Sequence, residues 1–478
     1  MKRVMILERV ANQTRLAVME DNRLCEIYYE RAGHAKLAGN IYAGRVQNVL
    51  PGMNAAFVDI GLNKNAFLYA GDICIDTRGE DALQSQLENA RIEKMLRPGQ
   101  MIVVQVVKEP GGSKGPRITG NVTMPGRFCV LLPTIAYAGV SRKIADSAER
   151  DRLFSLANRL SGENGAGIIV RTAAEDMPLE AIEADYMRLL RMWKKIQTAG
   201  SHSARPRLIQ NDGSIVQRAV RDMLDEDIFA IRTDDPGIYG ELKDAAGLLA
   251  PEYAERIELL NTETPLFDLL RVDAQLEHAF DRHVYLKSGG TIVIDETEAM
   301  TVIDVNTGKF TGKKSLEDTI FQINCEAADE IARQLRLRDI GGIVIIDFID
   351  MDVPENRDKL IGHLKTALEN DPNRTNVLGM TALGLVEMTR KKVRKPLSRQ
   401  LLRDCSACKG TGREFTFESL AYRILREIWR KRRMGDKLCY RIAADQRVID
   451  WIADIGIPEN CVLDGGLYGQ SYEIAINN

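Results

Sequence analysis

Gly341-Gly342-Ile343-Val344-Ile345-Ile346-Asp347 is an almost wholly apolar run opened by two glycines and closed by a carboxylate, the pattern of a strand buried on both faces. Two β-branched runs upstream, Thr291-Ile292-Val293-Ile294-Asp295 and Met300-Thr301-Val302-Ile303-Asp304, also end in Asp. Between them and the apolar run, Asn324 to Arg338 is charged, Ala-rich and free of Gly and Pro, which predicts a helix. Strand, strand, helix and strand in this order indicate an α/β sheet.

On a strand, side chains two apart share a face, so Asp304 and Asn306 point the same way while Asp347 closes a neighbouring run. Two carboxylates and a carboxamide at one sheet edge suit Mg²⁺, which takes one or two carboxylates and keeps waters for substrate phosphates. Such a site can activate water and neutralise the charge that develops on a phosphodiester. Asp residues at strand ends also cap turns and helices, and Asp295, Asp350 and Asp352 are of the same kind. The run Asn306-Thr307-Gly308-Lys309-Phe310-Thr311-Gly312-Lys313-Lys314 looks like a phosphate loop. It has three residues between Gly308 and Gly312 and no Ser or Thr after Lys313, so it fails the P-loop spacing and excludes that NTPase reading.

Upstream, Val4 to Leu7 and Arg15 to Glu20 predict hairpin strands, with turn residues at Asn12-Gln13 and Asp21-Asn22. From Gly39 to Thr119, short β-type runs (Ile41 to Val46, Ala55 to Ile60, Ala66 to Leu68, Met101 to Val106) predict a small barrel. Phe57 and Phe67 lie in adjacent short strands, with Lys64 between them and Lys114 in the basic loop Lys108 to Arg117. Such rings either fill the core or stack on single-stranded bases while the cations hold phosphates. Residues 122–200 mix strands (Phe128 to Leu132, Gly167 to Arg171) with a helix over Leu179 to Gln197, and Thr198 to Pro206 has the composition of a linker.

With 478 residues, 45% hydrophobic and 28% charged, the chain has room for about three or four domains. A net charge of −3 argues against coating nucleic acid through bulk charge, so any basic surface is local. No window approaches the run of about 18 apolar residues that a spanning helix needs, and charges interrupt the first nine residues. The expectation is a soluble cytoplasmic protein. The five His are isolated, which excludes a His-rich metal cluster and leaves carboxylates as the candidate catalytic groups.

Of the eight Cys, Cys25, Cys74, Cys129, Cys325, Cys439 and Cys461 stand singly, whereas Cys405 and Cys408 form a C-x-x-C followed by Lys409-Gly410-Thr411-Gly412. Structural zinc takes four ligands, so two thiolates per chain favour one Zn shared by two copies, a homodimer clasp. A metal-free pair or a redox site is the alternative, although a glycine-rich knuckle does not fit a helix-opening redox motif. Thr389 to Pro396 and Arg423 to Arg433 are dense in positive charge and flank this pair, which suggests a basic groove near the dimer contact.

Asp304-Val305-Asn306-Thr307-Gly308, the segment Asn324 to Asp339, the run Asp347-Phe348-Ile349-Asp350-Met351 and the single Cys405-x-x-Cys408, in this order, resemble the ribonuclease E/G family of bacterial endoribonucleases over nearly the whole chain. The resemblance implies Mg²⁺-dependent hydrolysis of single-stranded, A/U-rich RNA in rRNA processing and mRNA decay, leaving a 3′ hydroxyl and a 5′ phosphate. Asp304 and Asp347 match the family's metal-binding carboxylates, and Asn306 matches the residue that helps position them. Arg171 and Thr172 match a 5′-monophosphate sensor, with Gly126 and Val130 as its pocket wall. Arg suits that task because its planar fork grips phosphate oxygens bidentately. Phe57, Phe67 and Lys114 match the RNA-contacting positions of the OB fold.

The implied fold class is multidomain α/β plus β. An RNase H-like domain, named for fold alone, comprises 1–36 and 211–278, interrupted by an inserted OB-fold barrel (37–121) and a 5′-sensor domain (122–210). A DNase I-like catalytic domain (279–400), a zinc link (401–413) and a small C-terminal domain (414–478) follow. The chain stops at Asn478, which looks like the family's short G type. Residues 413–478, where a dimer of dimers would make contact, match the family weakly. The competing expectation is a non-catalytic single-stranded RNA-binding or cell-structure protein, whose affinity would be salt-sensitive and indifferent to Mg²⁺.

Overall fold

A computed structural model describes residues 2–32, 36–73, 91–110, 114–308, 316–406, 408, 410, 412–433, 438–456 and 459–476. Cys74, the glycines of the basic loop at 111–112 and Lys309 to Lys314 lie outside the described residues, as do Ala407, Lys409 and Thr411. The chain divides into two compact units, Met1–Arg394 and Lys395–Asn478. Among the described residues, no helix is long and apolar enough to cross a membrane.

The first unit contains four sheets. In the first, Arg3–Val10 pairs antiparallel with Gln13–Glu20, which pairs with Arg23–Arg31, and on its other side runs parallel to Ile228–Thr233 and then Ile257–Leu259. Asp21 and Asn22 close the second hairpin in the left-handed region (φ 47° and 65°), as a tight two-residue turn requires. The helices Ile215–Asp222 and Pro236–Leu249 cover Met5, Leu7, Leu16 and Val18. One core is therefore assembled from the chain's start and a segment more than 200 residues later, with the next two sheets inserted between.

The second sheet contains a closed five-stranded barrel, Ile41–Leu50, Ala55–Asp59, Ala66–Tyr69, Arg117–Thr119 and Met101–Lys108, which pairs back onto Ile41–Leu50, and Arg207–Gln210 adds a sixth strand beside Ile41–Leu50. Inward side chains at alternate positions, including Val46, Ala56, Val58, Leu68, Val104 and Ile118, fill it. The third sheet (Ala138–Val140, Gly167–Val170, Cys129–Leu132, Met124–Pro125) packs against the helices Ser147–Asn164 and Leu179–Ser201. The latter corrects the linker expectation, because helix continues through Thr198 to Ser201. A Cβ at Gly200 would lie 2.4 Å from Cγ2 of Val103, so the small residues read as linker let the helix lie close on a barrel strand.

The fourth sheet is the one anticipated from the apolar runs. Its order is His283–Tyr285, Thr291–Glu296, Met300–Asn306, Gly342–Asp347, Val386–Arg390, Thr375–Met380, with Met300–Asn306 and Gly342–Asp347 parallel. The helices Leu316–Leu337 and Pro354–Ala367 bury one face through Ile292, Ile303, Val305, Val344, Ile346 and Met388. Residues of opposite parity, Val302, Asp304, Ile343 and Asp347, stand on the other face. In the second unit, Phe417–Arg433 and Gln446–Ile455 pack on a three-stranded sheet of Cys461–Leu467, Tyr440–Asp445 and Glu473–Ile476.

Candidate active site

The parallel pairing puts Asp304 directly opposite Asp347 in register. Neighbouring strands lie about 4.8 Å apart and paired residues share a face, so the two carboxylates stand side by side. Asn306, two residues on, donates from Nδ2 to Oδ2 of Asp304 at 2.7 Å. Burial, then the charges of Asp304 and Asp350, push the Asp347 carboxyl above its ordinary value. Two acids compressed in this way, with oxygens open to solvent, form a site that a divalent cation would relieve. Among the described residues, no group of three or more His, Cys, Asp and Glu side chains is arranged around one metal position. Asp304, Asp347 and Asn306 offer hard oxygen donors, the ligand type that divalent cations such as Mg²⁺ take alongside water.

Glycine in the phosphate-loop lookalike has a packing explanation. Gly308 adopts φ +61°, and a Cβ there would lie 2.2 Å from the carbonyl oxygen of Gly289. The turn after Asn306 leans on the hairpin between the first two strands of the sheet. The loop after Asp347 is held by residues that the sequence reading did not single out for a role. Asn324 bonds both backbone groups of Ile349, Arg357 donates from Nε to the Met351 carbonyl at 2.7 Å, and Glu317 accepts the Val353 N–H at 3.2 Å. An Asn inside a strong helix pattern was the available signal, because Asn is a poor helix former.

On the barrel, Phe57 and Phe67 are cross-strand partners whose rings meet edge to face, with centroids 6.0 Å apart. Their neighbours Ala56, Val58, Ala66 and Leu68 fill the barrel, so alternation turns both rings outward, where they remain half-buried. Lys114 is exposed in a loop pressed against this edge. The Pro116 carbonyl accepts the Phe67 N–H at 2.8 Å, and a Cβ at Gly115 would lie 2.0 Å from the Asn65 carbonyl oxygen.

In the third sheet, Arg171 donates from Nη1 to the Gly126 carbonyl at 2.5 Å and to Oδ1 of Asp222 at 2.9 Å. Burial pushes the Asp222 carboxyl up, but its bonds to Arg221 and Arg171 outweigh that and hold it below the ordinary range. Thr172 shares a hydroxyl contact with Ser141 at 3.0 Å. Val130 pairs with Ile169 and Pro125 beside them. Gly126 has no room for a side chain: a Cβ would lie 2.3 Å from Oδ2 of Asp185. The structure therefore brings Arg171, Gly126, Val130 and Thr172 into one neighbourhood and adds Ser141 and Asp222 to it.

Cys405 is exposed and Cys408 half-buried, and neither forms a disulfide. Gly412 donates its N–H to the Cys408 sulfur at 3.3 Å, and Gly410 and Gly412 have φ +87° and +64°. The two left-handed glycines turn the backbone so that the Gly412 amide points back at the Cys408 sulfur. One basic segment needs correction. Arg390 is 3% exposed and bonded to Asp371 and Asp339, and Arg394 stacks on Tyr28 while pairing with Asp339. These two residues stabilise the interior and do not line a groove. Arg390 shares the inward parity of Val386 and Met388, which decides its direction.

The chain is thus a multipart α/β protein that combines an acidic pair on an open sheet face with a closed barrel carrying aromatic rings on its outside. It belongs to the Ribonuclease E/G family, whose profile matches residues 123–393. Ribonuclease G of Haemophilus influenzae is 43% identical over 427 residues, covering 89% of this chain and 87% of that protein. Ribonuclease G of Escherichia coli is 41% identical over 442 residues, covering 92% and 90%. Ribonuclease E of Haemophilus influenzae is 38% identical over 427 residues, covering 89% of this chain and 45% of that protein.

Proposed function

We propose that this chain is a Mg²⁺-dependent endoribonuclease that hydrolyses single-stranded, A/U-rich RNA in the cytoplasm, favours a 5′-monophosphate end, and acts in rRNA processing and mRNA decay. The observation that carries this reading is the in-register pair Asp304 and Asp347, with Asn306 bonded to Asp304, in a member of the Ribonuclease E/G family. Asp304 and Asp347 would hold the cation. When bound there, it supplies charge neutralisation for the scissile phosphodiester and lowers the pKa of water. Asn306 fixes one Asp304 oxygen, which leaves the others to face the substrate.

The remaining assignments follow the same reading. Phe57 and Phe67 stack on bases and Lys114 neutralises phosphate. Arg171 and Thr172 grip the terminal phosphate against Gly126 and Val130. Residues 1–36 with 211–278, 37–121, 122–210 and 279–400 are the RNase H-like, OB, sensor and DNase I-like domains. Cys405 and Cys408 of each copy, in the link 401–413, hold one Zn between two chains, and residues 414–478 would bring such homodimers together as a dimer of dimers.

The test is cleavage of a short A/U-rich RNA with a 5′ monophosphate or a 5′ hydroxyl, with Mg²⁺ or with chelator, for the native protein and Asp304→Asn. Losing half of the cation site should remove several kcal/mol of transition-state stabilisation, a rate loss of about 10²–10³-fold. The monophosphate substrate should be cut faster, and Arg171→Lys should abolish that advantage. Tight, salt-sensitive binding without product at any Mg²⁺ concentration would favour the non-catalytic RNA-binding reading.

A further inference from the structure

Asn324 lies on the helix Leu316–Leu337 and is fully buried beneath the fourth sheet, at 0% exposure. Its Nδ2 donates to the Ile349 carbonyl at 2.8 Å, and its Oδ1 accepts the Ile349 N–H at 3.0 Å. One side chain thereby satisfies both backbone groups of the residue two beyond Asp347. The sheet itself offers them no partner there. Pairing with Met300–Asn306 ends at Asp304 and Asp347, and pairing with Val386–Arg390 ends at Ile346 and Val386. Asn324 in effect extends the ladder by one rung at the point where the strand becomes loop.

The same helix also steadies the other side of the acid pair. Glu326 accepts the N–H of Lys287 at 2.7 Å and of Ser288 at 3.2 Å, in the hairpin against which Gly308 rests. Backbone on both flanks of Asp304 and Asp347 is therefore fixed to one rigid element. An amide in a helix interior is unfavourable, and burying it costs more than burying an apolar residue of similar size. Its contribution must come from the two bonds. Displacing a reacting group by about 1 Å can cost roughly 10²-fold in rate, so a device that fixes the strand end bears on chemistry as well as on folding.

We propose that Asn324 is a positioning residue, which sets the direction of the Asp347 carboxylate against Asp304 so that both oxygens are presented to one divalent cation. This rests on the reading of that pair as the cation site. The test uses the full chain with Asn324→Ala and Asn324→Asp. The second variant keeps the shape and the acceptor but turns the donor into an oxygen facing the Ile349 carbonyl, and it carries the test where Asn324→Ala does not fold. Mn²⁺ is titrated without RNA and free Mn²⁺ is followed by electron paramagnetic resonance. RNA affinity is read by anisotropy in chelator, and kcat and KM are taken per folded molecule from thermal melts.

The expected result is Mn²⁺ binding weakened at least fivefold and kcat lowered ten- to a hundredfold, with KM and RNA affinity within twofold of native. A lower melting temperature, with Mn²⁺ affinity and kcat per folded molecule unchanged, would overturn the proposal. Asp304→Asn separates the two claims. Native Mn²⁺ binding and cleavage in Asp304→Asn would overturn the site itself, whereas their loss there beside native-like Asn324 variants would overturn the positioning role alone.

Discussion

Arg336→Met should destabilise the first unit severely, and the structure supplies the size of the effect. Arg336 projects from the last turn of the helix Leu316–Leu337 into the first sheet and makes four hydrogen bonds: to Glu20 at 3.1 and 2.7 Å, and to Glu26 at 3.0 and 2.7 Å. The three side chains are 6%, 11% and 7% exposed. After truncation, Glu20 still has Arg3 at 3.3 Å, but Glu26 keeps only the Tyr28 hydroxyl among its described side-chain partners. Breaking a buried pair from one side costs about 3–5 kcal/mol, because a charge is left without compensation. That is a large fraction of a total stability of about 5–15 kcal/mol. Urea unfolding followed by circular dichroism would measure the loss.

Adding Glu26→Gln to Arg336→Met should recover about 1–3 kcal/mol, since an uncharged amide replaces the orphaned carboxylate. The deficit should also depend on pH. Burial pushes the Glu20 carboxyl up, yet the Arg336 bond and charge outweigh it and hold the folded value below the ordinary 4.5. A lowered carboxylate contributes stability that is present above its unfolded value and lost as pH falls through its folded one. The gap between native and Arg336→Met should therefore be full at neutral pH and shrink below pH 4.5. A loss under about 1 kcal/mol at pH 7, or no recovery with Glu26→Gln, would refute the reasoning.

The barrel and the cysteine pair yield two further expectations. Phe57→Ala and Phe67→Ala should each weaken single-stranded RNA binding by about 1–3 kcal/mol in anisotropy titrations. Because both rings stand outside the barrel core, melting temperature should move little; a large drop with unchanged affinity would make them packing residues. Cys405→Ser should take zinc content by plasma mass spectrometry from one per two chains to none, and should shift light scattering toward monomer. A native protein without zinc and an unchanged mass would defeat the clasp.

The strands of the fourth sheet and the closed barrel were legible because alternation and apolar runs are local properties. Asp304 and Asn306 could be placed on one face from their spacing alone. That Asp347 stands opposite Asp304 depends on a parallel pairing across a helix, which spacing cannot register and only the ladder fixes. Asn324 and Asp222 were harder to read, because their partners are a backbone segment and an arginine far along the chain. Arg390 is the opposite case. Charge density suggested a basic face, while the parity of Val386, Met388 and Arg390 already pointed it inward. Thr198 to Ser201 shows that small residues mark close packing as readily as a linker.

On the proposed reading, the chain's two phosphate-handling regions are built on opposite electrostatic plans. At the acid pair, like charges lie side by side, and Asp347 is pushed upward by burial and by the charges of Asp304 and Asp350, so the site gains most when a cation arrives. At Arg171, the guanidinium is already oriented by the Gly126 carbonyl and Asp222. A terminal phosphate there finds its donor prearranged, which reduces the ordering cost of binding, but must share it with a carboxylate. The first arrangement favours strong dependence on a divalent ion, and the second favours a graded response to the 5′ end. Removing the competing carboxylate by Asp222→Asn would shift that balance toward tighter phosphate capture, at the expense of the ion pair that holds Arg171 in place.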